Sequence, residues 1–404
     1  MDDVFTGDFA VKNKQQVARF AAHLQKWFAE SIKTAWDRAS LKPDRWKLAL
    51  GCIVYGERYT DRFLKYCVPS LLAEGNLPAI KDSPVWIIIQ TDDASISKLK
   101  ADSGLQALGK MGICIEIQTI PQEIIDGVAE EEMNKYWLLG AAHNLQMQHA
   151  KYLGYGFHML MPDHVYSRNY FVNLRRVSEG KDAIVQAALS ARIEEADELN
   201  NDGILSIDSK ELNAIALDHL HRQFQPYIMN GRDYKTDCPV HSFMFFIGRD
   251  TVHIMCPHMS PVYFSHAALM KCPLRLFNTI DSQLPFFLPE SANVYAPKPQ
   301  DDMSYIEISD DNKPFGVTPP TDILNFCIAF WMLTYSEKGF LRYLNLDNIL
   351  GLPDGYAHPI DPMNDDEIYT TLTEVRKQVA DSFDKIFPVL EKRYQKDPLP
   401  HRAA

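Results

Sequence analysis

The feature that most constrains this chain is a repeated alternation between short apolar runs and helical stretches. Trp46-Lys47-Leu48-Ala49-Leu50-Gly51-Cys52-Ile53-Val54 is short, nearly continuous in apolar character and ends β-branched, as a strand buried on both faces would be. A loop over residues 55–59 follows, then a helix using Phe63, Leu64, Tyr66, Cys67, Leu71 and Leu72, stopped by Gly75-Asn76. The unit recurs: residues 85–91 form a second strand with Asp92 and Asp93 at its end, and residues 95–109 a helix. A third strand spans 113–120, a helix 134–153, a fourth strand 156–161, a helix 170–179 and a fifth strand 183–189. Strands separated by helices predict an α/β, Rossmann-like fold: a mostly parallel sheet covered on both faces, with ligands beyond the carboxyl ends of the strands.

Helical segments flank this core. Val17, Phe20, Ala21, Leu24, Trp27, Phe28 and Ile32 recur at helical spacing within residues 12–40. After residue 205 the pattern becomes a helix over 210–224 and strands over 242–247, 252–256 and 262–264. Proline-rich, acidic loops over 285–320 are expected to be exposed, and helices over 321–335 and 365–393 close the chain.

Composition bounds the partners. With 41 basic and 53 acidic residues the net charge is -12, which repels nucleic acid and anionic membranes, so neither is an expected partner. An anionic substrate would need a local cation. The seven cysteines contain no Cys-x-x-Cys pair, which argues against a disulfide framework and for a reducing compartment. They are expected to be thiols, with Cys52 and Cys114 acting as small buried apolar groups in strands. The first thirty residues lack the basic start and apolar run of a signal peptide, and no apolar stretch reaches the roughly 18 residues of a membrane span. The expectation is a cytoplasmic protein.

Chemistry-bearing residues collect after the strands. Leu160-Met161-Pro162-Asp163-His164 ends a strand in a carboxylate and an imidazole; by spacing alone this reads first as a common Pro-Asp turn with a helix cap and a surface histidine, and second as a pair suited to a cation holding a diphosphate. Tyr55-Gly56-Glu57-Arg58-Tyr59 offers an aromatic face for a base, a small residue for close approach, and a guanidinium for phosphate. Asp92 and Asp93 could bond a ribose or cap the following helix. His258 sits in a proline-bounded turn, and Thr279-Ile280-Asp281 offers a carboxylate that also reads as an N-cap. His219 with His221, and His143 with His149, fall on different helix faces and do not read as zinc sites. There is no glycine-rich dinucleotide loop and no P-loop.

This order of elements, with the first strand and loop, the acidic end of the second strand and the Pro162-Asp163-His164 turn, resembles the nucleotide-sugar glycosyltransferases of the GT-A fold. The resemblance covers about residues 47–285. It implies three regions: a helical extension over 1–46, a nucleotide- and acceptor-binding domain over 47–285, and a loop-rich then helical region over 286–404. The family's Asp-x-Asp motif holds a divalent ion against the donor diphosphate. Here one Asp is present and His164 stands beside it, so the resemblance implies Asp163, His164 and a late histidine, His258, as ligands of a Mn or Mg ion. Tyr55, Gly56, Arg58, Asp92 and Asp93 would meet the nucleotide-sugar donor. Arg192, Glu194 and Glu195 lie in the zone that faces the acceptor, with Glu195 or Asp281 as base. The alternatives are a metal-dependent hydrolase or nucleotidyltransferase built on the same Asp and His residues, and a non-catalytic glycosyltransferase-like binding module.

Overall fold

A computed structural model describes residues 46–129, 135–192, 205–221, 243–247, 250–255, 260–272, 291–309 and 347–356, with short pieces at 22–23, 26–27, 29–30, 224, 228, 230, 288–289, 362–364, 366–371, 373–374 and 377. Strand β1 (Leu48–Ile53) is buried at every position, as its apolar run requires. It pairs in parallel with β2 (Val85–Thr91) on one side and β4 (Gly156–Leu160) on the other, and β2 pairs in parallel with β3 (Cys114–Thr119). The largest sheet has seven strands in the order β11 (Val294–Tyr295), β6 (Ala183–Gln186), β10 (Ser260–Phe264), β4, β1, β2, β3. The fold is α/β and Rossmann-like, with this mostly parallel sheet flanked by helices.

The chain groups into two compact units. One comprises Met1–Leu64, Lys81–Pro162 and Phe264–Ile280, the other Lys65–Ile80, Asp163–Tyr263 and Asp281–Ala404. In the first, α1 (Glu57–Arg62) starts two residues after Tyr55, so the loop after β1 is shorter than 55–59. The chain continues from α1 through a π-helical turn (Phe63–Cys67) into α2 (Val68–Leu71). The helix expected over 95–109 is two helices, α3 (Asp93–Ala101) and α4 (Ser103–Lys110). The reason is local: Asp102 is extended, and its side chain accepts from the Leu105 N–H as the cap of α4. After α5 (Gln122–Ala129), helix α6 (Lys135–Leu153) is buried along residues 141–150 and packs on β1 and β4. A Cβ on Gly51 would lie 2.5 Å from Gln146 Oε1 and 2.6 Å from the Phe157 ring, so glycine is what lets that helix approach. Gln146 Nε2 donates to the Cys52 carbonyl at 2.8 Å across the same contact. Trp27 packs with Ile53, Ile120, Ile124 and Leu138, which ties the N-terminal helical positions to this core.

Strand β3 is the outer neighbour of β2, and that edge position corrects the expectation for Cys114, which is exposed; Cys52 is buried as expected. Cys52, Cys67, Cys114 and Cys272 are all outside disulfides, while Cys238, Cys256 and Cys327 lie outside the described residues.

The second unit departs further from the sequence pattern. The fifth strand is two strands, β6 and β7 (Leu189–Arg192), which belong to different sheets. β7 pairs in parallel with β12 (Tyr305–Ser309), and β12 pairs antiparallel with β5 (His164–Tyr166). The loop expected over 285–320 therefore contains a strand with buried Tyr305, Ile306 and Ile308. Prolines 297, 299 and 314 flank that strand and do not interrupt its alternation. Helix α7 (Tyr170–Val177) follows β5, and α8 (Ser209–Asp218), capped by Asp208, packs on β7 and β12. A third sheet orders β13 (Asp347–Gly351), β9 (Thr251–Met255) and β8 (Phe243–Ile247) in antiparallel pairs. Helix α9 (His266–Lys271) follows β10. Positions 366–371 are helical, in line with the closing helix, and 321–335 lies outside the described residues.

Candidate functional site

In the first unit the sheet order brings two loops together. The chain runs from β1 outward to β2 and β3, then returns to place β4 on the other side of β1. The carboxyl ends of β1 and β4 thus form a topological switch point, the crevice where open α/β sheets receive ligands. Val54, Tyr55 and Gly56 leave β1 there, and Met161 and Pro162 leave β4. Tyr55 is half-buried, and its phenol is raised above the ordinary range by burial, then by Tyr59. Gly56 is exposed with φ 76°, and the direction of its absent Cβ holds no atom within 4 Å, so a ligand can approach the backbone.

Asp92 fixes this loop. Its Oδ2 accepts from the Gly56 N–H at 2.6 Å and from Ser95 Oγ at 3.0 Å, and its Oδ1 accepts from the Ser95 N–H at 2.9 Å as the cap of α3. Thr60 Oγ1 lies 3.0 Å from the Gly56 carbonyl and 2.9 Å from Ser95 Oγ, closing the ring of contacts. The capping role left open for Asp92 is thus realised, and it positions the glycine. Asp93 is exposed in the first turn of α3. Arg58 is exposed, with its guanidinium 5.6 Å from the Tyr59 ring centre.

In the second unit, Asp163 is buried. Its backbone carbonyl accepts from the Ile308 N–H at 2.8 Å, and its carboxylate lies near enough to Cys67 to add to the upward push that burial exerts on that thiol. His164 pairs with Glu307 across β5 and β12, its Nδ1 is 3.4 Å from Tyr166 Oη, and its ring centre is 4.7 Å from that of Tyr305. Burial lowers its pKa to about 3, so the imidazole is neutral near pH 7. A neutral imidazole is the form that ligates metals.

Arg192 closes β7, with its backbone N–H donating to the His219 carbonyl at 3.0 Å. The registers put Arg192 opposite Ser309, and Ser190 opposite Glu307, which is itself opposite His164. Laterally paired residues share a sheet face, so Arg192 and His164, both expected site residues, meet on one face with Glu307, Ser190 and Tyr305. Those three were missed. The signal for Glu307 was the alternation Tyr305-Ile306-Glu307-Ile308-Ser309, hidden in a segment expected to be loop.

His258, Asp281, Glu194 and Glu195 lie outside the described residues. Asp163 and His164 offer a hard and a borderline donor, a pair suited to Mn more than to Mg. Among the described residues no group of three His, Cys, Asp or Glu is placed to hold an ion, so these two alone do not complete a site. Among the same residues no helix is long and apolar enough to cross a membrane.

No family model matches the sequence, and no curated protein matches it. Among solved structures, the chain is similar to S. aureus TarS 1-349 at 8% identity and a TM-score of 0.36, over 74% of this chain and 69% of that one. It is similar to S. aureus TarS at 9% identity and a TM-score of 0.30, over 71% of this chain and 39% of that one. It is also similar to mouse xyloside xylosyltransferase 1, apo form, at 14% identity and a TM-score of 0.22, over 36% and 52% of the two chains.

Proposed function

We propose that this protein transfers a glycosyl group from a nucleotide-sugar donor to an acceptor hydroxyl. The observation that carries this reading is the switch point between β1 and β4, where an aromatic residue, Tyr55, and an open glycine, Gly56, stand at the carboxyl ends of parallel strands. In this reading the base lies against Tyr55, the phosphates approach the Gly56 backbone and Arg58, and Asp93 faces the donor. Asp92 acts by holding the loop. Asp163, His164 and His258 are the candidates to hold a Mn or Mg ion, which when bound offsets the charge of a departing diphosphate. Asp281 and Glu195 remain the candidates for the base that takes the acceptor proton.

The test is a thermal-shift screen of uridine, guanosine, cytidine and adenosine diphosphates and their sugar conjugates, with and without Mn. One of them, at 100 times its dissociation constant, should add about 2.7 kcal/mol of apparent stability. Asp163→Ala should remove the Mn-dependent part of that shift. If no nucleotide stabilises the protein, the transferase reading fails and a role without nucleotide replaces it.

A further inference from the structure

Strand β3 ends the largest sheet: it pairs in parallel with β2, and among the described residues nothing pairs with its other side. No position from Cys114 to Thr119 is fully buried, and the strand holds no proline and no lysine. Its register with β2 is unbroken, so no bulge turns the edge away. Natural sheets blunt an open edge with those devices because its backbone groups are a template for another strand. Glu116 is the one charged residue in β3, and its charge limits which strand can add there.

The hydrogen bonding says which backbone groups are open. The Ile120 N–H donates to the Thr91 carbonyl of β2 at 2.7 Å. Successive N–H groups of a strand point to alternate sides, so Cys114, Glu116 and Gln118 turn theirs to β2, and Ile115, Ile117 and Thr119 turn theirs outward. The next outward residue on one side, Ile113, already donates to the Leu108 carbonyl at 3.3 Å. The next on the other side, Pro121, has no N–H. The open set is therefore Ile115, Ile117 and Thr119.

These limits fit a second copy of the same strand in one register. An antiparallel copy related by a two-fold axis can be centred on Glu116, Ile117 or Gln118. Centred on Glu116, the two carboxylates stand across a pair whose Cα atoms are about 4.5 Å apart, where like charges are destabilising. Centred on Gln118, Ile115 meets Pro121 and loses a bond. Centred on Ile117, that residue pairs with its own copy, and Ile115 pairs with Thr119 of the copy in both directions, so every outward N–H and C=O is used. The same register sets Glu116 against the neutral Gln118, and one β-branched isoleucine against another. The ends agree in charge. The strand follows exposed Lys110 and leads into exposed Glu123 and Asp126, so an antiparallel copy brings opposite signs together twice.

We propose that this protein forms a two-fold symmetric dimer in which β3 pairs antiparallel with β3 of a second copy, centred on Ile117, to make one continuous sheet. Cys114 lies outside the outermost hydrogen-bonded pair. The dimer is independent of the transferase reading, and β2 separates the joint from β1 and its loop.

A single strand edge buries less than the roughly 1,600 Å² of a standard interface, so the dimer should be weak, with a Kd of about micromolar order. Sedimentation of the whole protein between about 1 and 200 µM should show the mass climbing from 46.2 kDa toward twice that value. Over the same range, amide exchange resolved by residue should slow at Ile115, Ile117 and Thr119 and stay as it was at Glu116 and Gln118. Ile117→Lys sets two ammonium groups against each other on the axis and should abolish the dimer. Thr119→Pro removes an outward N–H without touching a bond to β2 and should weaken the dimer by about tenfold or more; it decides the matter if Ile117→Lys does not fold. Under mild oxidation Ile117→Cys should link to its copy, since the paired Cα atoms lie about 5.5 Å apart. Thr119→Cys should not link to its copy, which is four residues away along the strands, about 13 Å. A monomer at every concentration would overturn the proposal. So would a dimer that forms without slowing the three outward amides, one that survives both Ile117→Lys and Thr119→Pro, or linkage through Thr119→Cys in place of Ile117→Cys.

Discussion

The β1-β2-β4 edge and the β5-β12-β7 face are built by opposite routes. At the first, β1, β2 and β3 follow one another along the chain and across the sheet, every paired position of β1 is buried, and the binding features are backbone ones: an open glycine, a capped helix, a loop pinned by Asp92. At the second, residues 164–166, 189–192 and 305–309 come together from distant parts of the chain, and the features are side chains that matter only through their register. The first kind of site follows from fold topology, and many loop sequences could supply it. The second depends on which residues alternate onto one face, and a slip of one residue would turn Glu307 into the core and Ile306 out of it.

The largest expected effect tests whether β12 belongs to the core at all. Ile306→Ala removes a fully buried side chain and should cost about 2 to 5 kcal/mol, as much as Leu50→Ala in β1. Urea unfolding of both variants makes the comparison. If residues 305–309 were the exposed loop that their proline-rich surroundings suggest, Ile306→Ala would stay within about 0.5 kcal/mol and the second sheet would fall.

The same contrast explains what could be read in advance. Strand β2 spans the expected residues, 85–91, and β1, β4 and α6 fall within a few residues of expectation, because unbroken apolar runs and helical spacing are local signals. The loop at Tyr55 and Gly56 and the acidic end of β2 were legible for the same reason. Glu307 was not. Nothing in residues 305–309 alone says that they will pair with His164 on one side and Ser190 on the other, and a five-residue strand beside Pro297 and Pro299 carries a weak signal. The break between β6 and β7 was hidden too: 183–189 reads as one apolar run, and only pairing with β12 assigns its end to another sheet. Cys114 was misplaced because sequence shows that a strand is apolar on one face and does not show whether a neighbour covers its edge.

A middle-sized effect sharpens the first region. Asp92→Ala removes the cap of α3 and the acceptor that holds the Gly56 N–H, and should cost about 0.5 to 2 kcal/mol. Asp92→Asn keeps an acceptor for the cap and should cost less. If Asp92 acts by holding the loop, as proposed, Asp92→Asn retains nucleotide affinity and Asp92→Ala loses it in proportion to the loop's loss of order. Equal loss in both variants would instead make the carboxylate itself a ligand contact.

The smallest effect uses cysteines as reporters of each unit. Cys52 and Cys272 are buried in the first unit and Cys67 in the second, while Cys114 is exposed at the edge of the sheet. Iodoacetamide at pH 8, followed peptide by peptide, should label Cys114 in native buffer and reach the other three only as each unit opens. Burial raises the Cys272 thiol to about 11, and burial followed by the Asp163 carboxylate raises Cys67 well above its ordinary 9.0. A thiol whose folded pKa is raised keeps a proton that the unfolded chain gives up, so its stabilising contribution is complete below pH 9 and declines as pH climbs toward the folded value. Opening of both units should therefore become easier above pH 9. In the second unit Asp163→Asn removes the smaller of the two causes acting on Cys67, so the decline there should become slightly shallower while Cys272 in the first unit responds as before. Native-state labelling of Cys67 as fast as that of Cys114 would show that the burial of Cys67 does not hold in solution.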